Sequence, residues 1–326
     1  MNTLSRVVGV LTLILVLVLT TALLYRATQQ SQRPGELSYD FDILPSSDLI
    51  LFNVPDATRQ RDSLVIGKLS SGEIQKSVEV EGNITEICIL SEEFAVLSVR
   101  TKPNQPDSGI ILYRFNIRNG QLRSFLDQRA ESWQVHLLRL SSQQFLFEQF
   151  RVRTQWQVPF GRETYGLSEG YYIGDIVQMK TSPSKLDVGM YHVAAVIAPN
   201  QIILSLGDKY LLAHLRPAIN QAEPKILRRL RLPFTGDSLL ERNHLAVSRD
   251  SRFFYYTRKN TIYRWDKLSN QETKVISLDK PIIRLRCDEK QVFFLTNSDS
   301  ATLWRVNSDG TGLEKIFHDA KDVAPQ

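Results

Sequence analysis

Cysteine is scarce in this chain: Cys88 and Cys287 are the only two among 326 residues. They lie far apart and neither has a CxxC partner, which excludes a disulfide framework and a cysteine zinc site. Each sits in an apolar, strand-like run, Ile87-Cys88-Ile89 and Leu285-Arg286-Cys287, where a thiol packs as a small buried hydrophobe. A disulfide between them would require the two strands to belong to neighbouring units. Charge of one sign is lacking too. The formal net charge is +5, and +3 without Arg6 and Arg26. Nucleic-acid binding needs basic residues packed onto one face, and so small a surplus does not predict it. Beyond residue 36 no sustained 3.6-residue periodicity occurs, so helix content should be low.

Long hydrophobic runs are absent with one exception. Val7 to Tyr25 is nineteen residues without a charge. As a helix it would be about 28 Å long, close to the hydrocarbon thickness of a bilayer. A signal peptide has a shorter apolar region of about 7–15 residues, so the length favours an uncleaved anchor, with secretion after cleavage near Thr20-Thr21-Ala22 as the alternative. One Arg precedes the span and roughly 300 residues follow it. Long domains translocate largely regardless of flanking charge, which puts the N-terminus inside and the large domain outside the cytoplasm. The expected organisation is a short tail (1–6), a transmembrane anchor (7–25), a polar linker (26–36), one large domain (37–318) and a polar tail (319–326).

The large domain is built from a repeat. Ile262-Tyr263-Arg264-Trp265-Asp266 recurs as Leu303-Trp304-Arg305-Val306-Asn307 and as Leu112-Tyr113-Arg114-Phe115-Asn116. Each copy reads aliphatic, aromatic, Arg, large apolar, Asp or Asn. Turn chemistry follows (Ser269-Asn270, Asp309-Gly310, Asn119-Gly120), then a second strand, which makes a hairpin. Weaker copies start at Leu64 and Leu211. The anchors Leu64, Leu112, Leu211, Ile262 and Leu303 are spaced by 48, 99, 51 and 41 residues, so one copy is hidden in the double interval, near Gln155 to Phe160. Two further strand-like runs precede each hairpin, for example Ile282 to Cys287 and Gln291 to Thr296. A period of about 40–50 residues with four strands per unit indicates an all-β, six-bladed β-propeller, with seven blades as the alternative count. The repeated aromatics Tyr113, Tyr263 and Trp304 are expected to be buried between sheets. The repeated arginines Arg114, Arg264 and Arg305 are expected to be structural, their stems packed between blades and their heads paired at a rim.

Two segments resemble the TolB-type, WD40-like propeller repeat. Leu245 to Thr257 is similar to its S-x-D-G-x-x-I-A-F half, with Ser251 where that repeat has Gly. Leu303 to Leu313 is similar to its I-Y-x-M-x-x-D-G half. The likeness is strongest over residues 244–317, partial over 64–125 and poor over 133–222. It implies a propeller. Blades of this kind occur in envelope scaffolds, protease regulatory domains and binding proteins, so it does not single out an activity.

No catalytic constellation emerges. Gly166-Leu167-Ser168-Glu169-Gly170 has the spacing of a nucleophile elbow, but an elbow leads into a helix, and Tyr171 to Val177 reads as a strand. A loop between blades is the expectation there. His136, His192, His214, His244 and His318 are not at metal-ligand spacing, and no cofactor motif is present. Residues 307–314 lack the acidic alternation of a calcium loop and read as a hairpin turn. Lys225-Ile226-Leu227-Arg228-Arg229-Leu230-Arg231 is the densest basic run. It is either an outer edge strand protected by charge, or a binding contact of Lys225, Arg228, Arg229 and Arg231 with anionic headgroups or an acidic partner.

The expected function is a monomeric, membrane-anchored propeller outside the cytoplasm that binds a protein or ligand at the cell envelope, without catalysis, cofactor, metal or nucleic acid. The alternatives are a propeller enzyme (hydrolase or lyase) with a site in the central channel, and a purely structural subunit of a membrane complex. Acidic and histidine residues converging on the channel would favour the enzyme. Apolar residues gathered on one ring face would favour binding.

Overall fold

The computed structural model describes residues 39–56, 61–101, 109–128, 132–157, 161–184, 186, 192–197, 201–206, 209–214, 225–230, 245–248, 250–258, 260–296 and 301–317. These residues form six four-stranded antiparallel sheets, each from four consecutive strands. Blade 1 is β1 (Phe41–Leu44), β2 (Leu49–Asp56), β3 (Arg61–Lys68) and β4 (Ile74–Glu81). Blade 2 is β5 (Asn83–Ile89), β6 (Phe94–Arg100), β7 (Ile110–Asn116) and β8 (Leu122–Gln128). Blade 3 is β9 (Ser132–Arg139), β10 (Gln144–Gln157), β11 (Gly161–Asp175) and β12 (Lys180–Pro183). Blade 4 is β13 (His192–Ile197), β14 (Gln201–Leu206), β15 (Lys209–His214) and β16 (Lys225–Leu230). Blade 5 is β17 (Leu245–Val247), β18 (Phe253–Arg258), β19 (Thr261–Asp266) and β20 (Gln271–Ser277). Blade 6 is β21 (Ile282–Cys287), β22 (Gln291–Thr296), β23 (Thr302–Asn307) and β24 (Glu314–Phe317).

The first strands of successive blades touch, and β1 touches β21, so the sheets close into a six-bladed propeller. Its core is not one mass but six layers, one per blade interface. The second strands explain this. Alternate residues of a strand face opposite sides, so in β18 Phe254 and Tyr256 pack toward blade 4 while Tyr255 packs toward blade 6. Central strands covered on both faces read as continuous apolar runs. Among the described residues no strand is shared between blades 1 and 6. That seam is closed by Phe41, Ile43 and Phe52 against Phe293, Leu303 and Phe317. Among the described residues the only helical element is one 3-10 turn, Pro45–Ser47, and no helix is long and apolar enough to cross a membrane. Residues 7–25 lie outside the described residues.

The recurring motif is the third strand of blades 2, 5 and 6. Its fifth position caps the following turn: Asn116 Oδ1 accepts from Asn119 N at 3.1 Å, and Asp266 Oδ1 from Leu268 N at 2.8 Å. Gly72, Gly120, Met179 and Asn270 all stand four residues past that position, with φ of 69°, 77°, 52° and 55°. Gly and Asn enter this left-handed region readily, which is why they mark the turns.

Three expectations need correction. The hidden copy is not near Gln155 to Phe160. Residues 155–157 end β10, and residues 158–160 lie outside the described residues. The copy is Tyr171-Tyr172-Ile173-Gly174-Asp175 at the end of β11, where Asp175 Oδ1 caps Val177 N at 2.9 Å. Ile173 replaces the Arg and Gly174 the large apolar residue. The ring of Phe145, Gly174's cross-strand partner, fills the space of the missing side chain. Second, Ser168 lies within β11, paired with Phe150 beside a bulge, not in a loop. A strand continues past it, so the backbone is not an elbow. Third, Tyr113, Tyr263 and Trp304 are only partly buried; the covered positions of the motif are the first and fourth (Leu112 and Phe115, Ile262 and Trp265, Leu303 and Val306). A bulge between the first and second positions shifts the register with the outer strand in all three copies. Local twist rises there and the aromatic position stands only part-covered.

Candidate functional site

The innermost strands β1, β5, β9, β13, β17 and β21 surround a central channel with a cavity of about 240 Å³. An innermost strand is a sheet edge, and its outward N–H groups need partners. Carboxylates of the preceding blade supply them. Asp40 and Asp42 of blade 1 accept from Ile87 N and Ile89 N of blade 2, both at 2.7 Å. Glu86 of blade 2 accepts from Leu137 N of blade 3 at 2.5 Å. Between blades 3 and 4 the hydroxyl of Tyr171 accepts from Val193 N at 2.8 Å.

Blade 6 brings the countercharges. Arg284 pairs with Asp40 and lies 4.0 Å from Glu86, whose other neighbour is His136 Nδ1 at 2.6 Å. Arg286 Nε donates to Asp42 at 3.0 Å, and Arg286 Nη1 donates to Leu285 O at 2.9 Å. A second buried chain runs from Asp40 N to Asn53 Oδ1 (2.5 Å), from Asn53 Nδ2 to Asp62 (3.0 Å), and ends on Ile84 N, which donates to Asp62 at 2.7 Å. Burial pushes Asp40 up to about 7 against the pull of Arg284 and Arg286. Burial likewise raises Asp62 to about 6, against its hydrogen bonds from Asn53 and Ile84. For Glu86 burial is again the largest influence, but His136, Arg284 and the Leu137 N–H together outweigh it and hold the carboxyl below its usual value. The same burial lowers Arg284. The charged part of the channel belongs to blades 1, 2, 3 and 6. Blades 4 and 5 line it with Val193 to Val196 and Leu245 to Val247.

Cys88 and Cys287 both line this channel, and both are free. They belong to blades 2 and 6, which blade 1 separates, so they are not neighbours. Cys88 is buried but Cys287 only partly, and burial raises both thiols. Such thiols are poor nucleophiles.

The three repeated arginines make one contact three times. Arg114 donates to Ile176 O at 3.0 Å, Arg264 to Ser308 O at 3.0 Å, and Arg305 to Leu69 O at 3.1 Å. Each acceptor is the residue just after the motif in the next blade. Arg114 and Arg264 also lie over Phe94 and Phe253 of their own blades, at 5.1 and 5.0 Å. Arg305 reaches Ser70 O as well, at 2.8 Å, across the ring seam.

Antiparallel topology puts the first-to-second and third-to-fourth turns of every blade on one face of the ring, here face A. The second-to-third turns and the inter-blade connections lie on face B. The exposed large hydrophobic side chains among the described residues are Ile74, Val177, Leu268 and Leu313. All four sit in or beside third-to-fourth turns, hence on face A. A groove of about 370 Å³ opens on the same face between blades 1 and 2, bordered by Ser47, Lys76, Glu92 and Arg118 over Leu49 and Ile66. Ser47 Oγ donates across it to Glu92 at 2.7 Å.

Lys225, Arg228 and Arg229 lie on β16, the outermost strand of blade 4. Arg231, His244 and His318 lie outside the described residues. His192 and His214 fall on β13 and β15, and no group of three or more His, Cys, Asp or Glu could hold a metal among the described residues. Asp309 accepts from Thr311 N at 2.9 Å within a turn. The channel cluster escaped the sequence reading. Its one trace was matched alternation, Asp40-Phe41-Asp42-Ile43 against Arg284-Leu285-Arg286, visible only once the first and last strands are known to meet.

The sequence matches no protein-family model, and no curated protein matches it. Among solved structures it is similar to the β-propeller domain of Cps50 (Swd1) from Myceliophteria thermophila: 10% identity, TM-score 0.50, covering 78% of this chain and 92% of that one. Oligogalacturonate lyase from Vibrio parahaemolyticus matches at 10% identity and TM-score 0.49, over 78% and 73%. A protein of unknown function from Desulfotomaculum acetoxidans matches at 12% and 0.47, over 87% of each chain. At 10% identity the likeness to the Cps50 propeller domain speaks for fold alone.

Proposed function

We propose that this propeller is a binding platform of the cell envelope, anchored by residues 7–25 with its ring outside the cytoplasm, and that it is not an enzyme. The observation that carries the reading is that Ile74, Val177, Leu268 and Leu313, the exposed large hydrophobic residues among the described ones, stand together on face A. Exposed apolar side chains gathered on one side mark interaction surfaces. The repeat is read as TolB-type and WD40-like on residues 244–317, the ring as a monomer, and the partner as a protein rather than a nucleic acid. Photo-crosslinking in membranes carrying the full chain tests it. A photoreactive residue in place of Leu268 or Leu313 should give discrete protein adducts. Adducts at neither position would contradict the reading.

A hydrolase or lyase site in the channel is the second reading, favoured by the Glu86–His136 pair at 2.6 Å. Against it, both oxygens of Glu86 are already engaged, by His136 and by Leu137 N. A turnover assay on polysaccharide and peptide panels that lost its signal in Glu86→Gln, with the melt unchanged, would favour the enzyme.

A further inference from the structure

Blade 3 departs from the repeat in strand length as well as in its motif. Its second and third strands, β10 and β11, have 14 and 15 residues where those of the other blades have six to eight. β9 follows β10 only as far as the Arg151–Ser132 pair, and β12 leaves β11 at Tyr172–Pro183. Beyond them the hairpin continues as a two-stranded ribbon, from Val152↔Gly166 to Gln157↔Gly161. Six further pairs at about 3.3 Å per residue carry it roughly 20 Å past the sheet. β10 runs away from its turn with β9, so the ribbon leaves the ring on face B.

Face B is also where the chain enters. β1 ends in the face A turn at Pro45–Ser47, so its first residue, Phe41, lies at face B, and the uncharged segment 7–25 precedes it. The linker of residues 26–36 spans at most about 3.6 Å per residue, close to 40 Å, which brings face B within reach of any bilayer holding that segment. The ribbon's composition suits that surface. Residues 151–167 carry Arg151, Arg153 and Arg162 against one acid, Glu163, with Trp156 opposite Arg162 near the far end. Tryptophan beside arginine is what the interface of an anionic bilayer attracts. A third element converges. In neighbouring blade 4, β16 ends at face B, where Leu230 pairs with Tyr210, and Arg228 and Arg229 lie in its last turns of register.

We propose that the blade 3 ribbon, which carries Trp156 with Arg151, Arg153 and Arg162, is an arm that contacts the surface of an anionic bilayer. It orients the ring with face B toward the membrane and face A away from it. The inference rests on the anchored reading given above. The test uses the full chain in vesicles of phosphatidylcholine, with or without one part phosphatidylglycerol in three, a portion of the phosphatidylcholine being brominated. Bromine quenches indole at short range. Brominated lipid should quench the parent at least twofold more than Trp156→Phe, and only with the anionic lipid present. Arg153→Ser with Arg162→Ser should remove that excess while leaving the thermal melt unchanged. Equal quenching of parent and Trp156→Phe overturns the proposal, as does a ribbon that crosslinks to protein in native membranes without lipid quenching. Alkaline washing of phosphatidylcholine vesicles reads the anchor separately. A chain that washes off yet shows Trp156 quenching on anionic vesicles contradicts the anchor and supports the arm.

Discussion

Blades 6 and 1 meet by charge, and blades 3 and 4 by hydrocarbon. At the first interface Arg284, Arg286 and Arg305 reach Asp40, Asp42 and the carbonyls of Leu69 and Ser70 over an apolar layer. At the second, Leu146, Tyr171, Ile202 and Leu204 pack around a bond from Val193 N to the tyrosine hydroxyl. Blades 3 and 4 are consecutive in the chain. Among the described residues blades 6 and 1 share no strand, and their contacts join residues as far as 244 positions apart. Apolar packing is non-directional. Charged hydrogen bonds fix a register. Charged side chains thus bridge the seam where the chain itself does not hold the blades together.

That contrast fails if the two interfaces respond alike to loss of their polar groups. The largest effect is expected from Arg284→Ala, which leaves Asp40 buried without its partner. Breaking a buried pair costs about 3–5 kcal/mol, whereas Tyr171→Phe removes one neutral hydrogen bond worth about 0.5–1.5 kcal/mol. Urea titrations of the two variants should separate by that margin. Next is Arg305→Ala, which gives up two inter-blade carbonyl bonds where Arg264→Ala and Arg114→Ala give up one each. Bonds to charged groups contribute about 1.5–3 kcal/mol, so Arg305→Ala should melt lowest of the three.

Acidity sharpens the same comparison. Asp40 and Asp62 hold protons more tightly folded, at about 7 and about 6, than at their ordinary 3.8. Between pH 4 and 7 the folded state therefore binds more protons than the unfolded, and stability from these groups falls as pH rises through that window. The melting temperature should climb from pH 8 to pH 5. Asp62→Asn, which keeps an acceptor for Ile84 N, should flatten part of the climb. A parent that melts lower at pH 5 than at pH 8 would contradict the buried-carboxylate account. The smallest effect belongs to Arg228→Ser with Arg229→Ser on the outer strand β16, within about 0.5 kcal/mol.

The strands were more legible than their arrangement. Ile282 to Cys287 and Gln291 to Thr296 were readable to the residue, because alternation and flanking Asp-Glu-Lys are local signals. Five third strands followed from turn residues that obey backbone sterics. The sixth did not, because Phe145 supplies the bulk that Gly174 lacks, and a cross-strand substitution leaves no mark along the chain. The channel charges were illegible for the same reason on a larger scale. Asp42 and Arg286 have no local signature, and only ring closure makes them partners.

Ring closure is therefore the claim on which the account turns, and the coupling between Asp42 and Arg286 measures it most directly. Asp42→Asn, Arg286→Gln and the double variant complete a thermodynamic cycle for a 3.0 Å contact between the first and last blades. A closed ring predicts a coupling of about 0.5–3 kcal/mol, whereas effects that add to within about 0.5 kcal/mol would mean that the two blades do not meet.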